Sequence, residues 1–181
     1  MVYTEEQLKE ALLNYSASSL TEEAIDLFPV PTLLAWLQMP LEGRLSFRTA
    51  WYVEHIFMKR PAYFAQYSRE IIAIYVANEN WSVLRSFSKL VMLLYSKSHQ
   101  AIHITEEQEE AILEKSFWII DHSDCPVAVL VNAMDILARL VPKQEWIAHE
   151  LRLRIELALE KEATPALKSR GSRILKRIAN A

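Results

Sequence analysis

The chain is 181 residues long, 51% hydrophobic and 24% charged, with 20 basic against 23 acidic side chains and a formal net charge of −3. That size suits one domain or one short array of stacked units, and the charge balance excludes disorder and bulk attraction to nucleic acid or an anionic membrane. Having only two glycines, Gly43 and Gly171, excludes phosphate loops and dinucleotide fingerprints, because side chains there would hold backbone N–H groups away from phosphate.

The lone cysteine, Cys125, allows no internal disulfide, so the fold requires no oxidising compartment. The first residues, MVYTEEQLKEALLNY, lack the basic start and apolar run of a secretory leader. Apolar runs such as 71–77 and 90–95 fall short of a membrane span. A cytoplasmic address with no membrane association is the expectation.

In chain order, helical periodicity predicts helices over 4–16, 21–28, 31–38, 44–58, 61–77, 81–97, 105–121, 126–140, 143–161 and 165–179. No strand is expected, and 71–76 is the least helical stretch because of its β-branched residues. Thr4-Glu-Glu-Gln7 and Thr105-Glu-Glu-Gln108 have the form of capping boxes, and Thr21-Glu-Glu is a half version. Prolines at 29, 31, 40, 61, 126, 142 and 165 fall between the periodic runs, with Pro61 and Pro142 expected to open helices. Trp36, Trp81 and Trp146 are candidates for exposed aromatics at an interface.

The stretch RTAWYVEHIFMKRP, 48–61, gathers Arg48, Glu54 and His55 with three large aromatics. Trp51 and His55 lie one turn apart, as do Arg48 and Tyr52, so they are expected to pack side by side rather than to form a reacting set. His99 and His103 have the i, i+4 spacing of a zinc pair on a helix, but they fall in the connector 98–103, where that geometry is lost. No metal or cofactor is therefore expected. Asp121-His-Ser-Asp-Cys-Pro126 concentrates reactive side chains; Ser123 or Asp124 before Pro126 reads as a helix start, which is favoured over a Cys125 nucleophile.

Charge is unevenly spread. The helix 105–121 carries acids at 106, 107, 109, 110, 114 and 121 against Lys115 alone. Arg152 and Arg154, interleaved with Glu150 and Glu156, read as a solvated face. In the last helix Arg170, Arg173 and Arg177 form one stripe at ~100° per residue, with Leu167, Ile174, Leu175 and Ile178 as the buried face. The stripe is the candidate partner-binding feature, suited to an acidic partner or to phosphates; offsetting the helix dipole is its simpler role.

The runs starting at Gly43, Asn80, Pro126 and Pro165 align with one another at spacings of about 40 residues, the period of helix-pair repeats. Thr49, Ser86, Asn132 and Gly171 share a small or polar column. Ala50, Phe87, Ala133 and Ser172 follow them. Val53, Leu90, Ile136 and Leu175 share an aliphatic one, and Phe57, Leu94, Leu140 and Ala179 an apolar one. PALKSRGSRILKRI (165–178) resembles the first helix of a HEAT repeat, in its proline start, its Leu167-Lys168 pair, the small Gly171-Ser172 and Leu175. PVAVLVNAMDILARL (126–140) is similar but has Val129 where the family has a basic residue, and LSFRTAWYVEHIF (45–57) is looser. The resemblance implies an all-α, right-handed superhelix of stacked antiparallel HEAT/armadillo-type helix pairs. It would be a single solenoid domain over 1–181, with 1–42 as an N-terminal helical cap and about three and a half pairs in 43–181. It further implies a scaffold whose second helices line a concave binding surface, with no particular ligand; the repeat columns and the lack of a convergent catalytic set point to a non-enzymatic scaffold for a protein partner. The alternative is a nucleic-acid binder resembling the HEAT-like DNA alkylation repair glycosylases, which the net charge opposes. A helical lyase of the fumarase type is not expected, since its signature loop has no counterpart here.

Overall fold

The computed structural model describes residues 4–15, 21–161 and 164–179. Among them are ten α-helices and no strand: α1 Glu5–Asn14, α2 Glu22–Leu27, α3 Val30–Leu37, α4 Gly43–Lys59, α5 Ala62–Ala77, α6 Trp81–Leu94, α7 Glu106–Asp121, α8 Val127–Leu140, α9 Trp146–Lys161 and α10 Pro165–Ile178. The ten expected helices are all present, with ends shifted by no more than three residues. The chain divides into two compact units, one up to Phe87 and one from Ser88, with the division inside α6.

Side-chain caps fix where several helices begin. In α1, the Gln7 amide donates to Thr4 Oγ1 at 3.3 Å and the Thr4 amide to Gln7 Oε1 at 2.9 Å. Thr105 and Gln108 repeat the exchange at 3.2 and 3.0 Å at the start of α7. Asn80 Oδ1 accepts from the Ser82 amide at 2.9 Å before α6. Thr164 caps α10 by accepting from the Leu167 amide, with Pro165 at the first helical position. Two expected starts differ. Pro126 itself is the cap residue of α8, and neither Ser123 nor Asp124 bonds to its first turn. Pro142 lies in a 3₁₀ turn, Val141–Lys143, which closes α8, and α9 starts only at Trp146.

In the first unit, α4 is the central element, packed by α1, α3 and α5. Tyr52, Val53, Ile56 and Phe57 are fully buried. Phe28 meets Tyr52 edge-on at 4.7 Å, and Phe57 meets Phe64 likewise at 5.3 Å. Arg48 Nε donates to the Leu12 carbonyl at 3.1 Å, tying α4 to the end of α1. Trp36, a candidate exposed aromatic by sequence, is buried, with the Lys9 ammonium 5.2 Å from its ring centre. The β-branched stretch 71–76 is helical within α5, because Ile71, Ile72, Ile74 and Tyr75 are buried and packing overrides their propensity. The helical dihedrals break only at Tyr67 (φ −123°, ψ 22°).

In the second unit α8 is central, packed by α7, α9 and α10. Its residues from Val131 to Ala138 are all buried, as are Val129 and Leu140. A helix that is apolar all round belongs inside a bundle, and this sequence is such a helix. Its Asn132 is satisfied by donating to Ser88 Oγ at 3.1 Å. Each Leu, Ile or Val removed from water contributes ~1.5–3 kcal/mol, against ~1 kcal/mol for a helix cap. Burial of α4 and α8 therefore dominates stability, while the caps set boundaries.

The aligned columns are interior positions in α4, α6 and α8. Thr49, Ser86 and Asn132 are buried, as are Val53, Leu90 and Ile136, and Phe57, Leu94 and Leu140. In α10 the pattern shifts by one residue. The buried face is Leu167, Gly171, Ile174 and Ile178, whereas Leu175 is half-buried and Ser172 and Ala179 are exposed. Gly171 marks a close approach of α9 and α10. A Cβ added there would lie 3.1 Å from Ile155 Cγ2 and 3.7 Å from Leu159 Cδ1.

Gly171→Leu is expected to lower the unfolding free energy by ~1–3 kcal/mol through overpacking. Gly171→Ala should be nearly neutral, since the ~1 kcal/mol gained in helix propensity is offset by the tight contact with Ile155. Urea unfolding measures both; a Gly171→Leu protein as stable as the parent would contradict the close packing.

Candidate functional site

The arginine stripe on α10 faces a carboxylate that the sequence conceals. Asp135 lies in the middle of apolar α8 and is 6% exposed. Arg170 Nε approaches its Oδ2 at 3.3 Å and Arg173 Nη2 approaches the same oxygen at 3.8 Å. One turn along α8, Arg139 donates through Nη1 to the Tyr95 carbonyl at 2.9 Å. Its Nε is buried and has no hydrogen-bond partner among the described residues. Burial, and next the nearby Arg177, hold the Arg139 guanidinium below its usual pKa; Asp135 pulls the other way, and Arg170 and Arg173 add to the repulsion. Among the described residues, Arg139, Arg170, Arg173 and Arg177 thus share one neighbourhood with the Asp135 carboxylate.

Helix-dipole compensation explains only part of this arrangement. Lys176 and Arg177 stand in the last turn of α10, where a cation is favoured, but Arg170 and Arg173 lie further back. Arg170 is partly covered and its Nη2 reaches only Met92 Sδ, at 4.0 Å. Arg173 is 67% exposed in its side chain and Arg177 is also exposed. The result is a cationic surface anchored from beneath by a buried acid. The sequence shows the three arginines in line but not Asp135 or Arg139. The available signal is their i, i+4 spacing inside an otherwise apolar helix.

The other candidate groups have structural roles. Trp51 and His55 stack with ring centres 3.9 Å apart, and His55 Nδ1 donates to the Trp51 carbonyl at 2.8 Å. The Arg48 guanidinium sits 5.3 Å from the Trp51 ring centre. Helix α7 repeats this arrangement. The Lys115 ammonium lies 3.7 Å from the Trp118 ring centre, and His122 stacks at 4.0 Å and donates through Nδ1 to the Trp118 carbonyl at 3.0 Å. Both sets have a cation three residues before the tryptophan and a histidine four after it. His55 and His122 each commit a ring nitrogen to their own helix.

Between Lys97 and His99 the chain makes one 3₁₀ turn, so His99 and His103 are not stacked on a helix. His99 Nδ1 is within 2.9 Å of Ser96 Oγ and 3.0 Å of the Leu93 carbonyl. Among the described residues, no three His, Cys, Asp or Glu side chains converge to hold a metal ion. No helix among them is long and apolar enough to cross a membrane.

Arg154 departs from its expected place on a solvated face. It grips Asp121 with two nitrogens, at 2.8 and 3.3 Å, and Glu150 at 2.6 Å, and it lies 4.8 Å from the Phe117 ring centre. These bonds raise its pKa, the Asp121 hydrogen bond contributing most. Arg154 therefore clamps the end of α7 to α9. Trp146 remains the exposed aromatic of this unit, stacked on Phe117 at 5.8 Å.

Beside the clamp is a cleft of about 250 Å³, lined in part by His122, Cys125, Leu130, Leu157 and Leu167. Burial, and then the charge of Asp124, push the Cys125 thiol up to about 12, opposed by a backbone hydrogen bond from Leu130. A protonated thiol is a poor nucleophile, and His122 has its Nδ1 engaged elsewhere.

No protein-family model, curated protein or solved structure matches the chain.

Alkylation of Cys125 by iodoacetamide at pH 8 is expected to be about 10²–10³-fold slower in the folded protein than in urea, because the thiolate is scarce. Timed mass spectrometry measures both rates, and equal rates would remove the burial argument.

Proposed function

We propose that this protein is a non-enzymatic binding module built from HEAT-like helix pairs, and that it takes an acidic segment of a protein partner on the arginine surface of α10. The observation that carries the reading is the excess of guanidinium over carboxylate around Asp135. Arg170 and Arg173 approach one oxygen of that acid while Arg139 and Arg177 stand close by. Partly covered charges such as those of Arg139 and Arg170 are stable when paired, and among the described residues the cations here outnumber the carboxylate beside them.

The aligned interior columns of α4, α6 and α8 support the repeat part of the reading, since buried size and apolarity persist while chemistry does not. The binding part is supported by exposure. Arg173 and Arg177 present their forks to solvent and so remain available for bidentate contact with carboxylates. The net charge of −3 disfavours a duplex as the partner, since the cationic surface is local.

Fluorescence anisotropy with a labelled deca-glutamate peptide tests the proposal. Binding is expected to weaken with salt and to fall at least about tenfold in the variant Arg177→Glu, whose exposed position leaves the Asp135 ion pairs in place. No measurable binding by the parent protein, or binding unchanged in the variant, would overturn it. Tighter binding of a duplex DNA at the same ionic strength would replace it with the nucleic-acid reading.

A further inference from the structure

We infer that the arginine patch of Arg139, Arg170, Arg173 and Arg177 beside Asp135 takes a phosphate monoester carried on the partner segment, in preference to a carboxylate. The inference rests on the binding surface proposed above and adds the chemistry of the ligand.

Three observations lead to it. The first is charge: Arg170 and Arg173 meet one oxygen of Asp135 and Arg139 and Arg177 stand nearby, so that among the described residues the guanidiniums of this patch outnumber the carboxylate placed among them. A glutamate or aspartate of a partner supplies one negative charge, whereas a phosphate monoester supplies about 1.5 to 2 at neutral pH. The second is the shape of the donors. Residues 170, 173 and 177 follow i, i+3, i+7 spacing on one helix, so neighbouring arginines stand within reach of a single small anion. A phosphate offers three terminal acceptor oxygens to such converging forks, and a carboxylate offers two.

The third is unspent bonding capacity. Arg139 Nε is buried without a partner, and Arg170 Nη2 has only a sulfur at 4.0 Å. Buried donors are ordinarily satisfied, and Arg139 Nε retains the capacity to donate to an added acceptor. Asp135 accounts for the rest of the design. It sits on the inner side, held in apolar α8, where its carboxylate orients Arg170 and Arg173 and offsets part of their mutual repulsion. An added carboxylate from a partner would lie near this acid while returning only one charge. A phosphate lies near the same acid but returns more charge to the arginines and offers their forks a third oxygen.

The test uses the full chain and four probes at one ionic strength. These are an acidic peptide bearing one phosphoserine, the same peptide with aspartate at that position, inorganic phosphate, and a short duplex DNA. Isothermal calorimetry is expected to show the phosphopeptide bound at least about tenfold more tightly than the aspartate peptide. Inorganic phosphate should compete with it. The single variant Arg177→Gln should lose most of that discrimination at an unchanged melting temperature, and Arg173→Gln should lose it as well. Equal affinity for the two peptides would overturn the phosphate inference and leave the acidic-partner reading standing. Failure of both peptides to bind would overturn both. Preference for the duplex would assign the phosphate to a nucleic acid and overturn the peptide source.

Discussion

The second unit depends on covering α8. Its sequence, VAVLVNAMDILARL, is apolar on nearly every side, and such a helix persists in water only when other helices enclose it. α7, α9 and α10 do so. Enclosure places polar residues of α8 where a bulk-solvent answer is unavailable, and specific neighbours answer two of them: Asn132 by Ser88, and Asp135 by the arginines of α10. The cationic surface follows from this constraint. α10 brings its arginines against α8 because α8 carries an acid that must not be left alone.

The same logic explains the aromatic-rich stretch in α4. A tryptophan flanked by a cation three residues earlier and a histidine four later occurs in α4 and again in α7, with nearly the same ring separations. Spacing of three and four puts all three groups on one helix face. Both occurrences keep the imidazole bonded to a backbone carbonyl of its own helix. What looks chemically rich in sequence is a way of filling a helix flank with flat groups that tolerate partial hydration.

The helices are legible because their signals are local. A capping box and a periodic run need no knowledge of the tertiary structure, and the boxes at Thr4 and Thr105 form as their spelling suggests. The cap at Thr164 is equally local, though the proline after it draws more notice. Sequence misleads where a side chain's partner is distant along the chain. Trp36 reads as a candidate for exposure because burial is a property of the assembled unit. Arg154 reads as solvated because Asp121, on another helix, cannot be seen from its neighbours. The arginine stripe is readable from angular spacing along α10, whereas Asp135 and Arg139 are hidden by the apolarity of the residues around them. Leu175 is off by one position, since the buried face of α10 is set by how it rests on its neighbours and not by the repeat column.

Gly171 gives that last point a wider meaning. Its bare backbone lets α10 settle against Ile155 and Leu159 of α9, and the angle at which a helix beds down decides which way its outer side chains fan. Arg170 is its immediate neighbour in the chain, and Arg173 follows half a turn later. The aim of the cationic forks is thus governed from the opposite flank of their own helix. The close seam with α9 and the cationic surface are carried by one short helix, so that whatever crowds residue 171 bears on the same backbone that holds the arginines.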